Sequence, residues 1–147
     1  MVPILKKSDS RAKVAAVSAA AGDSVSICAS AENSPCILSI SRVGAQHKRV
    51  ARIENIVVPS APTPVGADRN GCDYPEVATF IVEADWLSGY YDLTLTDSEG
   101  RATQHFFCVR RHADSPQANA VIVLATNTYA AYNYWGGANS YAHVEKL

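Results

Sequence analysis

The segment 90–110 restricts the fold more than any other part of the chain. Tyr91, Leu93 and Leu95 alternate with Asp92, Thr94 and Thr96, so apolar and polar side chains fall on opposite faces of an extended strand. Asp97-Ser98-Glu99-Gly100 follows, a turn with glycine at its closing position. A second extended run, Thr103 to Arg110, completes a hairpin. A strand with one apolar and one polar face belongs to an antiparallel sheet covered on one side only.

The same reading extends towards the N-terminus. Strands are expected over Arg11 to Ser18, Ser24 to Ala31, Cys36 to Val43, Arg49 to Val58 and Ala78 to Ala84, with Phe80 and Val82 on one face of the last. Ala21-Gly22-Asp23 and Asn33-Ser34-Pro35 read as turns, and the proline-rich stretch 59–70 as an irregular crossing between sheets. About seven short strands at this spacing predict a mainly β chain folded as an antiparallel β-sandwich, immunoglobulin-like in kind. The expected core includes Tyr91, Leu93, Leu95 and Phe107.

Composition excludes several function classes. With 147 residues, 48% of them hydrophobic, the chain is long enough to bury a core unaided. A formal net charge of -1 and a pI near 6.4 give no electrostatic reason to bind nucleic acid or an anionic membrane, and no nucleic-acid or membrane partner is expected. The alanine-rich stretch 12–21 is interrupted by Lys13 and Ser18 and makes a poor export signal, so a cytoplasmic location is expected.

The four cysteines, Cys28, Cys36, Cys72 and Cys108, form no CxxC pair. Cys28 and Cys108 imitate the inter-sheet bridge of an immunoglobulin domain, but parity argues against a bond. Val25, Ile27 and Ala29 make the apolar face of their strand, and Cys28 points the other way. The tyrosine corner is missing where such a bridge needs it, since Phe106 stands two residues before Cys108. Four reduced thiols are therefore expected.

Familiar catalytic sets are absent from the sequence. His47, His105, His112 and His143 are scattered, and no GxSxG elbow exists. His105 shares a strand face with Phe107 and Val109 and reads as structural. Asp97 and Glu99 read as turn chemistry rather than a calcium site.

The stretch 121–141, VIVLATNTYAAYNYWGGANSY, is different in kind. Val121-Ile122-Val123-Leu124-Ala125 is apolar and mostly β-branched, which suits a short strand buried on both faces. Thr126-Asn127-Thr128 supplies side chains suited to starting a helix. Tyrosines, a tryptophan and asparagines crowd the residues beyond, around Gly136-Gly137. A buried strand ending in a polar turn is where open α/β sheets place ligands.

This stretch resembles the N,N-dimethylformamidase large (beta) subunit family through Ala125-Thr126-Asn127-Thr128, Ala131-Tyr132-Asn133, Trp135-Gly136-Gly137 and Ser140-Tyr141. A second block, Trp86-Leu87-Ser88-Gly89-Tyr90-Tyr91 ending in Phe107-Cys108-Val109-Arg110, resembles the close of that family's β-sandwich. The resemblance implies three parts: an immunoglobulin-like sandwich over 1–111, a linker over 112–120, and over 121–147 the opening strand and turn of an incomplete, amidase-type α/β domain like that of the glutamine amidotransferases. It also implies hydrolysis of the C–N bond of a small N-substituted amide by an iron-dependent enzyme, with ferric iron (Fe3+) held by two tyrosinates and a glutamate. On this reading Tyr132 matches the first tyrosinate. Asn127, Asn133, Tyr134 and Trp135 are candidates for the wall of a substrate pocket, and no catalytic nucleophile is assigned.

A phenolate is a hard anionic donor, and a trivalent cation favours its deprotonated form. The metal then acts as a Lewis acid towards an amide carbonyl and lowers the pKa of bound water. One phenolate cannot replace a three-ligand site, so the 147-residue chain alone is expected to be inactive and to need the remaining catalytic segment or another subunit, in an oligomeric assembly. Whether the chain is a fragment or a natural subunit stays open. The alternative is a non-catalytic immunoglobulin-like interaction or structural module, in which Tyr129 and Tyr132, three residues apart on a short helix, merely pack.

Overall fold

The computed structural model describes residues 11–14, 16–112 and 120–132. Eight strands and two short helices follow in order: β1 (Arg11–Val14), β2 (Ser18–Ala19), β3 (Ser24–Ser30), β4 (Cys36–Val43), β5 (Lys48–Ile56), α1 (Ala67–Asn70), β6 (Glu76–Ile81), β7 (Gly89–Thr96), β8 (Ala102–Val109) and α2 (Thr126–Tyr132). The strands form two sheets, one ordered β1-β3-β6 and the other β2-β8-β7-β4-β5. This is the expected β-sandwich. Its strand order is that of an immunoglobulin-like domain, with β1, β3 and β6 as strands A, B and E, and β8, β7, β4 and β5 as G, F, C and C′.

Period-two patterning accounts for the core. In β7, Tyr91, Leu93 and Leu95 are buried and the residues between them are half-exposed. Leu38 and Ile40 do the same in β4, and Val25, Ile27 and Ala29 in β3. Burying a valine, leucine or isoleucine side chain stabilises by about 1.5–3 kcal/mol. Leu93 pairs with Ile40 on one side and His105 on the other, Leu95 with Leu38 and Thr103, which locks β7 between β4 and β8. At one end of the core, Trp86 stacks on Tyr91 (centroids 5.4 Å apart, planes 12° apart), and Phe80 meets Phe107 edge-on at 5.6 Å. Such aromatic pairs contribute beyond their buried area.

The first strand departs from expectation. A single strand over 11–18 would stay in one sheet. Instead β1 pairs antiparallel with β3, and β2 pairs parallel with β8 in the opposite sheet. The amide of Cys108 donates to Val17 O at 2.9 Å and that of Arg110 to Ala19 O at 2.7 Å, extending the second pairing. One segment thus stitches both sheets at their edges, where open ladder groups would otherwise be exposed.

The 97–100 turn forms as expected. Asp97, although charged, is 4% exposed. Its carboxylate accepts the amides of Glu99 (3.0 Å) and Arg101 (2.9 Å) and the Arg101 Nε at 2.9 Å. Buried charge is tolerated when paired and hydrogen-bonded in this way. Gly100 closes the turn at φ 81°, a conformation that favours glycine.

All four cysteines are free. Cys28 lies on the outward face of β3 and Cys108 on the outward face of β8, opposite Tyr90, so neither points into the core. A tyrosine corner is nevertheless present, on a different strand from the one first considered. Strand F is β7, and Tyr91 near its start donates its hydroxyl to Leu87 O at 2.6 Å. Two residues further on stands Leu93 rather than a cysteine, so an apolar side chain replaces the bridge.

Two further differences concern the segments outside the strands. The crossing at 59–70 contains α1, and Pro62–Asp73 belongs to a compact unit with α2 rather than to the sandwich. The strand expected over 121–125 is not formed: Val121, Ile122 and Val123 are 85%, 62% and 88% exposed and lie in no sheet. A strand buried on both faces needs ladder neighbours, and none of the described strands flanks this run.

Candidate functional site

Two regions carry side chains suited to chemistry or binding. The first is α2, which begins at Thr126 as the sequence suggested; the amide of Tyr129 donates to Ala125 O at 3.0 Å. Tyr129 and Tyr132 sit one turn apart, 56% and 59% exposed, and Asn127 is exposed in the first turn. Spacing of three residues puts the two phenols on neighbouring positions of one helix face. Asn133, Tyr134 and Trp135 lie outside the described residues. Tyr132 closes the helix at its last residue. Among the described residues, no three His, Cys, Asp or Glu side chains lie close enough together to hold a metal ion.

His105 occupies its structural role. Its Nδ1 accepts the amide of Phe106 at 2.8 Å, and its ring stacks on Phe106, which itself stacks on Tyr90 at 5.1 Å. Phe106 is buried although it faces away from the inter-sheet core, so Phe106 and Phe107 are sheltered on opposite faces of β8.

The second region is a pocket at one end of the sandwich that sequence reasoning did not find. Its volume is about 500 Å³, and it lies between the start of β5 and the segment leading into β7. Trp86, Leu87, Val50 and Tyr91 give it apolar walls; Arg42, Lys48 and Arg49 supply three cations against the single carboxylate of Asp85. Arg42 occupies the core-facing parity of β4, two residues beyond Ile40 and directly opposite Tyr91. That parity was the available signal: an arginine continuing an apolar face at a strand end.

Arg42 is held in place. Its Nη2 donates to Ser88 O at 3.2 Å. Gly44 and Gly89 lie against the guanidinium: a side chain added at Gly44 would come within 3.0 Å of Nη1, and one at Gly89 within 3.5 Å of Nη2. Its Nε is sealed from solvent without a hydrogen-bond partner. Burial pushes the Tyr91 hydroxyl pKa up, the Arg42 charge opposes this, and Asp85 adds to it. Tyr91 thus stays a neutral donor to Leu87 O near neutral pH.

Comparison with curated proteins returns no match. A family model does match, that of the N,N-dimethylformamidase beta subunit-like C-terminal family, over residues 38–146. The match begins inside β4, runs through the tyrosine-corner hairpin and includes α2 with Tyr132. A match over most of the chain, taking in both regions that carried the resemblance, makes this chain a member of the N,N-dimethylformamidase beta subunit-like family.

Proposed function

We propose that the chain is part of an iron-dependent amidohydrolase that cleaves the C–N bond of a small N-substituted amide. In this reading the sandwich over 1–111 is a scaffold, 112–120 a linker, and 121–147 the opening of the amidase domain. The observation that carries it is the family match across both the sandwich and α2. The family is described as beta subunit-like, which supports association with another subunit in an oligomer.

Tyr132 is the residue proposed to hold iron, in an assembly that supplies the other donors. Tyr132 is exposed on α2, and Asn127, five residues earlier in the same helix, is also exposed and could orient a polar amide. When bound, ferric iron supplies Lewis acidity towards an amide carbonyl and a water molecule. The apolar run 121–125, in which Val121, Ile122 and Val123 are exposed, suits a strand that becomes buried once ladder partners from the assembly lie beside it.

The test is the assembled enzyme, loaded with ferric iron and assayed for visible absorbance, iron content and hydrolysis of N,N-dimethylformamide. Tyr132→Phe removes the donor oxygen and keeps the ring, so all three signals are expected to fall while the circular dichroism spectrum is unchanged. Full iron content and activity in Tyr132→Phe would return this residue to packing. A second reading, a non-catalytic immunoglobulin-like interaction or structural module, is favoured by the make-up of the described chain, eight of whose ten elements are sandwich strands. Amide hydrolysis lost with Tyr132 would set that reading aside.

A further inference from the structure

We infer that the pocket beneath Arg42 binds a small molecule that joins a carboxylate to a flat apolar body. The inference is independent of iron and of α2. Its volume of about 500 Å³ falls within the range of roughly 300–1,000 Å³ usual for small-ligand clefts.

Charge selects the anion. Three of the four charged side chains lining the pocket are cations. Lys48 and Arg49 are exposed and make no ion pair among the described residues. Arg42 differs from them in being held in place. A guanidinium has five N–H donors, and among the described residues Arg42 uses one, on Ser88 O. The Gly44 and Gly89 backbones hold the group in one place, so its remaining donors are oriented in advance, which lowers the entropy cost of binding. A carboxylate matches that planar fork with two parallel hydrogen bonds.

The walls select the rest of the ligand. Trp86, stacked on Tyr91 over the end of the core, lines the pocket beside Leu87 and Val50. Leu87 is 65% exposed, apolar surface that a ligand would cover. An aromatic or acyl carboxylate satisfies both halves. A neutral amide of the same shape fills the apolar half but offers Arg42 one uncharged acceptor, without the charge and the paired hydrogen bonds of a carboxylate.

The probe is benzoate, with benzamide as its neutral counterpart, titrated into the protein and followed by the Trp86 indole and Arg42 Nε–H resonances. A Trp135→Phe variant assigns the indole signal. Benzoate is expected to shift both resonances saturably, and benzamide to do so only at concentrations about tenfold or more higher. Arg42→Lys keeps the charge and removes the fork, so it should weaken binding about tenfold or more. Arg49→Gln alters an exposed side chain, keeps the fold, and should weaken binding by a smaller factor that vanishes at high salt. No saturable shift with benzoate, or an equal affinity for benzamide, overturns the inference. So does unchanged affinity in Arg42→Lys or, should that variant not fold, in Arg49→Gln.

Discussion

The Tyr91 hydroxyl donates to the carbonyl oxygen of Leu87, four residues upstream, at 2.6 Å. The bond joins the first residues of β7 to the segment that enters it, and the Tyr91 ring lies under Trp86 and against Phe107. Tyr91→Phe keeps every ring contact and removes only the hydrogen bond. It should lower stability by about 1 kcal/mol, read as a reduced urea midpoint with an unchanged slope. An unchanged midpoint would show that Leu87 O finds water as good a partner.

Asp97 should be the more sensitive position. Its carboxylate is the acceptor for two backbone amides and one guanidinium N–H. Asp97→Ala leaves buried donors unmet and should cost about 2 kcal/mol or more, with Asp97→Asn between it and the parent because one acceptor oxygen survives. Chemical denaturation of the three proteins gives the order directly, and equal stability of the alanine and asparagine variants would contradict it.

The thiols give a test that needs no substitution. Four free cysteines should titrate in denaturant without reductant, and a count below four would reveal a bond. In the native protein Cys36 should react last. It is fully buried, and burial, helped by the nearby Asp97 charge, pushes its pKa above the ordinary 9.0. Both effects reduce the accessible thiolate. Reaction of Cys36 ahead of the half-buried Cys28, Cys72 and Cys108 would mean that β4 opens locally.

Glu76 supplies the pH dependence. Hydrogen bonds from Thr79, at 2.6 Å, and Ser26 hold its carboxyl below the ordinary 4.5. A depressed carboxylate pKa contributes stability above the unfolded value, and that contribution is lost as pH falls through the folded value. Thr79→Val should therefore raise the Glu76 titration midpoint, followed by carbon NMR, towards 4.5. The stability gap between parent and variant should be present at neutral pH and close on acidification. A gap that widened in acid would have the wrong sign for this carboxylate.

The sandwich was legible because period-two patterning is a local property. Leu93, Phe107 and Ile27 carry their burial in their own parity, and the outward placement of Cys28 followed from Val25 and Ala29 alone. What escaped depended on pairing between distant strands. Parity could not show that the chain changes sheets between Val14 and Ser18, because the hydrogen bonds that pull β2 over come from β8. The tyrosine corner was sought at Phe106 because β8 was taken for strand F; only the order β8-β7-β4 reveals that Tyr91 holds that place. The pocket was missed for a related reason, since Arg42, Arg49 and Trp86 are brought together by three separate segments. The run at 121–125 shows the reverse error: composition describes a strand, but ladder partners make one.

The divided first strand also governs how the protein would respond to force. Tension between the chain before Val14 and the chain after Val109 loads β2 against β8 along their common direction, since the two run parallel. Bonds loaded this way share the strain and must rupture together, whereas a ladder peeled from one end yields a bond at a time. β1 adds a second anchor in the opposite sheet. A terminal strand arranged in this way should resist a pull along the chain better than a ladder opened one bond at a time.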